Sequence, residues 1–102
     1  MKSLKVLNLT NCKNLIFNEN NFKTIIENNI YLEEIILNLN DININNGFVT
    51  FIIESVHNLK ILSLNFCEQL TDYCFTNLRT QNKILEVLNI NGCNNLTDNA
   101  FN

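Results

Sequence analysis

The sequence predicts an α/β solenoid: short parallel strands alternate with return helices in a right-handed superhelical arc, strands on its concave face and helices on its convex face. Three observations lead there. The segment from Leu59 to Asp72 recurs from Leu85 to Asp98, a shift of 26 residues, with the leucine frame, a cysteine and a Leu-Thr-Asp triplet coinciding. Inside each copy, apolar residues alternate with others over a stretch of strand length. Between copies, apolar pairs three residues apart recur where a helix would carry the chain back.

Taken in order, Leu4, Leu7, Leu9, Cys12 and Leu15 set the first frame. Leu7 and Leu9 point to one side of a strand and Asn8 to the other. The second copy reads Leu32, Ile35, Leu37 and Asn40, with Asn40 in place of cysteine and Asn43 where leucine is expected. The third reads Leu59, Leu62, Leu64, Cys67 and Leu70, and the fourth Leu85, Leu88, Ile90, Cys93 and Leu96. The starts at 4, 32, 59 and 85 give steps of 28, 27 and 26. Phe22 with Ile25, Val49 with Ile52 and Phe75 with Leu78 are the expected inward pairs of the return helices. Thr71 or Asp72 is the expected cap of the third. Residues 1–102 thus read as a single domain of about four repeats, the last incomplete because Phe101 only opens its outer segment. Apolar edges without atypical end repeats are expected of a fragment of a longer protein, and they make end-to-end self-association an expectation too.

The spacing L-x-x-L-x-L-x-x-N/C is the leucine-rich repeat signature. The 26-residue step, the cysteine after the strand and the Leu-Thr-Asp that follows resemble the cysteine-containing leucine-rich repeats of F-box proteins. The resemblance spans nearly the whole chain and is closest in the third and fourth copies. It implies a protein-interaction module that holds the substrate of an SCF-type (cullin-RING) ubiquitin ligase for protein degradation. No stretch before Leu4 is long enough for an F-box, so a leucine-rich repeat scaffold, adaptor or inhibitor without a ligase link is the alternative.

Composition narrows the partner class. With a net charge of -3 and its seven Lys and Arg residues scattered singly, the chain has no basic stripe to neutralise phosphates, so no nucleic-acid partner is expected. No apolar run approaches the roughly 20 residues that span a bilayer, so no membrane association is expected. The segment from Met1 to Cys12 lacks the apolar core of a signal peptide, which points to cytoplasm or nucleus. Asparagine makes up about a fifth of the chain and proline is absent. Asparagine pairs such as Asn28-Asn29 and Asn45-Asn46 read as drift in permissive loops.

The residues that carry chemistry elsewhere are sparse here. None of the four cysteines forms a C-x-x-C pair, so no metal site is expected. Cys12, Cys67 and Cys93 share one repeat position, where a small side chain fills the turn after the strand and bonds weakly to backbone. Cys74 reads as packing. His57 is the only histidine, placed to meet the end of an outer helix. Only Gly47 and Gly92 exist, so no phosphate loop forms and no cofactor is expected. No catalytic set can be assembled, and an enzyme is not expected. The sequons Asn8-Leu9-Thr10 and Asn95-Leu96-Thr97 follow from the repeat frame itself.

Function is expected on the inner wall. One outward column reads Val6, Glu34, Ile61, Val87, and the next reads Asn8, Ile36, Ser63, Asn89. A third reads Thr10, Asn38, Asn65, Asn91, with the turn column Asn11, Leu39, Phe66, Gly92 beside it. The expected partner-binding set is Ile36, Asn38, Leu39, Ile61, Ser63, Asn65, Phe66, Asn89 and Asn91, with Phe66 as an aromatic anchor. Two readings stay open. β-branched residues suit strands whether or not anything binds, and Leu39 or Phe66 could fold into the turn beneath.

Overall fold

A computed structural model describes residues 4–10, 18–38, 44–76 and 78–97. Within them, strand β1 (Val6–Asn8) is followed by helix α1 (Glu19–Glu27), β2 (Glu34–Ile36), α2 (Asn46–Ser55), β3 (Ile61–Ser63), a 3-10 turn (Asp72–Phe75), α3 (Leu78–Gln81) and β4 (Val87–Asn89). The strands form one parallel sheet in the order β1-β2-β3-β4. This is a small α/β domain, as its alternating patterns require.

The register is the one the repeat frame dictates. Val6 pairs with Glu34, Glu34 with Ile61, and Ile61 with Val87, and the Leu7–Ile35–Leu62–Leu88 row follows one residue on. Ile35 and Leu62 are fully buried, whereas Leu7 and Leu88 on the outer strands are only partly covered. The flanking rows Leu32/Leu59 and Leu37/Leu64 are buried as well. The frame positions that alternate along each strand are thus the layer that meets the helices.

Each return segment reflects its local sequence. Helix α1 starts at Asn18, whose side chain accepts from the Asn21 N–H, and α2 starts at Asn45, which accepts from the Phe48 N–H. Phe22 and Ile26 are the buried residues of α1. This corrects the expected pairing with Ile25, which is 36% exposed: contact with the sheet side falls at i and i+4, not i and i+3. Helix α2 buries Phe48, Val49, Ile52 and Ile53, including the expected Val49/Ile52 pair. The Phe22 and Phe48 rings meet edge-on at 6.4 Å and bind α1 to α2.

The third return segment is not one helix. Tyr73, Cys74, Thr76 and their neighbours have weak helix propensity, and the segment becomes a 3-10 turn followed by the four-residue α3. Thr71 occupies the cap position with extended backbone, yet neither it nor Asp72 closes the turn through a side chain, contrary to expectation. Both are engaged with neighbouring repeats instead. Phe75 still reaches the core at 2% exposure. At the end of α3 the buried Asn82 amide donates to the Ile53 carbonyl at 2.6 Å, tying this segment to the last turn of α2.

Candidate functional site

The sheet face turned away from the helices carries the expected columns, but their residues differ in what they leave free. Val6 and Val87, on the outer strands, are each 47% exposed; Glu34, Ile36, Ile61 and Asn89 are half-buried. Ser63 is buried, and its Oγ donates to Asn38 Oδ1 at 2.8 Å. Its hydroxyl is thus engaged by the residue two positions after β2 and is turned inward.

The asparagine column is largely internal wiring. Asn38 Oδ1 also accepts from the Asn65 backbone N–H at 3.2 Å, and Asn65 Oδ1 accepts from the Asn91 N–H at 3.1 Å. Each amide oxygen thus satisfies a backbone donor in the turn of the next repeat, a donor no strand partner reaches. Asn8 and Asn89 bond two residues ahead, to the Thr10 and Asn91 N–H groups. Asn38 and Asn65 are half-buried on this duty, and the loop-drift reading of asparagine fails at Asn45, whose side chain caps α2. Asn91 remains exposed at the edge of the column. Leu39, with Asn11, Cys12, Asn40, Asn43 and Phe101, lies outside the described residues.

Phe66 is where backbone and side chain disagree. It is 57% exposed, and its φ of 64° is the one left-handed value among the described non-glycine residues. The equivalent residue one repeat on is Gly92, also left-handed at φ 78°. Across this turn the Phe66 N–H donates to the Asn91 carbonyl at 2.7 Å. A bulky side chain there costs about 1–2 kcal/mol that glycine avoids. The Phe66 ring lies against Gly92, where an added Cβ would stand 2.4 Å from Cδ1. So Phe66 does not fold into the turn beneath; it lies over the adjacent turn with much of its ring open to solvent.

Two sets of inter-repeat contacts lie outside the apolar frame. The first explains the Leu-Thr-Asp triplet. Asn45 Nδ2 donates to Glu19 Oε1, Asn46 Nδ2 donates to Thr71 Oγ1, and the Thr71 N–H donates back to Asn46 Oδ1. The Asp72 carboxylate accepts from the N–H and the hydroxyl of Thr97. The residue that opens each outer segment therefore clasps the start of the next one. These bonds hold the Asp72 carboxyl below its ordinary pKa. The second set is a charge column just before the strands: Lys5, Glu33, Lys60 and Glu86. Glu33 pairs with Lys5 at 3.7 Å and with Lys60 at 3.6 Å. In both cases the signal was visible as a repeat position with its own chemistry.

The described thiols, Cys67, Cys74 and Cys93, are buried. Burial pushes Cys67 and Cys74 up to about 12, and it raises Cys93 too. The Cys93 thiol donates to the Leu64 carbonyl at 3.0 Å, and Cys67 leans on the Asn65 carbonyl at 3.9 Å. His57 Nε2 sits 2.8 Å from the Glu54 carbonyl in the last turn of α2, as its position suggested. Among the described residues, no three His, Cys, Asp or Glu side chains gather as a metal would need, and no helix is long and apolar enough to cross a membrane. Compared with protein-family models, with curated proteins and with solved structures, the chain finds no match.

Proposed function

We propose that this chain is a protein-binding module of the leucine-rich repeat type, a solenoid whose sheet face holds a partner protein, with substrate recognition for an SCF-type ubiquitin ligase as its setting. One observation carries the binding reading: an aromatic ring, Phe66, is held 57% exposed on a left-handed backbone where the next repeat uses glycine. Backbone strain at an exposed anchor brings little return within the isolated chain, and such outliers concentrate where a ligand is met. The half-buried Ile36 and Ile61 lie on the same face, with Asn89 and exposed Asn91 able to meet polar groups at its rim. The ligase setting rests on the repeat signature alone, and the module performs no chemistry of its own.

The test is photo-crosslinking from Ile61 in cells, comparing the tagged wild-type chain with Phe66→Asp and identifying adducts by mass spectrometry. The expected result is a protein adduct lost in the variant, with cullin and F-box adaptor subunits among the co-purified proteins. An adduct of equal yield in both chains refutes Phe66 as the anchor, and no protein adduct from Ile61 refutes the sheet face as the binding site. An adduct that depends on Phe66 but brings no ligase subunits refutes the ligase setting and leaves a scaffold or adaptor.

A further inference from the structure

Glutamate is depleted in strands, yet Glu34 opens β2, a strand with described neighbours on both sides. On the sheet face turned away from the helices, the register sets Glu34 between Val6 of β1 and Ile61 of β3. Ile36 lies two residues along on the same side. These neighbours are all β-branched and apolar, so none of them answers a charge. One residue earlier the charges are balanced, because Glu33 holds both Lys5 and Lys60. The other ion pair among the described residues joins Lys23 to Glu19, and no described donor hydrogen-bonds the Glu34 carboxylate. Glu34 is half-buried, and its charge is left to solvent.

That arrangement restricts what can cover the face. A partner that seals Ile36 and Ile61 from water also strips water from Glu34. An unpaired carboxylate taken out of solvent costs more than two half-buried isoleucines return on full burial. A purely apolar segment is therefore disfavoured, and an acidic one more so. Resting on the sheet-face reading proposed above, we infer that the partner segment carries a basic side chain, arginine or lysine, that meets Glu34. Apolar residues beside it cover Ile36 and Ile61 and lead on to Phe66. An arginine can bond both carboxylate oxygens at once, and exclusion of water strengthens the pair. The apolar residues supply the affinity, and the charge selects among segments. The net charge of -3 on the whole chain also favours the approach of a basic segment.

The experiment pans a randomised-peptide phage library against the purified 102-residue chain. The affinities of the enriched peptides are then measured for the wild type, Glu34→Gln, Glu34→Lys and Ile61→Ser. The enriched peptides should share an arginine or lysine flanked by apolar residues. They should bind Glu34→Gln about tenfold more weakly, the loss of a hydrogen bond to a charged group. With glutamate in place of the basic residue, the same peptides should lose the wild-type chain and regain affinity for Glu34→Lys. That regain separates a charge pairing from a folding defect, since a misfolded chain is not rescued by a change in the peptide. Peptides that are lost on Ile61→Ser but bind the wild type and Glu34→Gln equally overturn the inference and leave the sheet-face reading standing. Peptides indifferent to both substitutions, or no enrichment at all, overturn the sheet-face reading and this inference with it.

Discussion

The contact of the Phe66 ring with Gly92 is open to a direct energetic test by adding a methyl group at Gly92. Gly92→Ala does two things. It places a Cβ on a backbone at φ 78°, costing about 1–2 kcal/mol, less about 0.5–1 kcal/mol returned by the stiffer unfolded chain. It also puts that Cβ 2.4 Å from the ring, so the ring must leave. Phe66 is 57% exposed, so moving it forfeits less than half of the roughly 1.5–3 kcal/mol of a fully buried phenylalanine, about 1 kcal/mol. Gly92→Ala should therefore destabilise the wild-type chain by about 2 kcal/mol but a Phe66→Gly chain by only about 1 kcal/mol. Phe66→Gly alone should be near neutral, because relief of its own left-handed strain offsets the lost contact and the added freedom of the unfolded glycine. Urea unfolding followed by circular dichroism, with slopes unchanged among the four chains, gives the coupling. A coupling near zero would refute the stacked geometry. A large loss in Phe66→Gly would refute the claim that this ring is surplus to the fold.

Two further outcomes follow from the titratable groups. The Asp72 carboxyl is held below its ordinary value by Thr97, so the stability it adds is present above the unfolded pKa of about 3.9 and is lost as pH falls through the lower folded value. Asp72→Asn should flatten the decline in urea midpoint on acidification below about pH 4, and an unchanged profile would remove Asp72 from the cause. Cys67 and Cys74, raised to about 12 by burial, should resist a thiol-specific disulfide reagent at pH 8 and react once urea unfolds the chain. Peptide-level mass spectrometry reads each site, and prompt labelling of either in native buffer would contradict its burial.

The repeat frame was legible because the leucine row must meet the helices in every copy, and one misplaced residue would turn a whole strand over. It dictates the pairing of Val6, Glu34, Ile61 and Val87, although the strands are only three residues long. What stayed hidden was the use of polar residues. Asn38, Asn65 and Ser63 look alike in a column facing solvent, yet a buried hydroxyl and two turn N–H groups decide that they serve the fold. Periodicity reports which face a residue occupies, not whether a neighbour 25 residues away needs its oxygen. Ile25 and Ile26 were equally hard to separate, since adjacent apolar residues on a nine-residue helix both lie near its inward face. Phe66 stands out in the sequence by its aromatic ring; the only sequence sign of its left-handed backbone is the glycine one repeat later.

The side-chain bonds that clasp one unit to the next join residues 25 to 29 positions apart, from Asn46 with Thr71 at the short end to Cys93 with Leu64 at the long end. That narrow spread bears on how the chain acquires its structure. Every junction closes a loop of nearly the same length, so the entropy surrendered is similar at each and no junction must wait for a distant one. Contact order is set by the repeat length and would not grow if units were added. If the chain is the solenoid proposed above, any adjacent pair can act as the nucleus, with structure spreading outward one unit at a time.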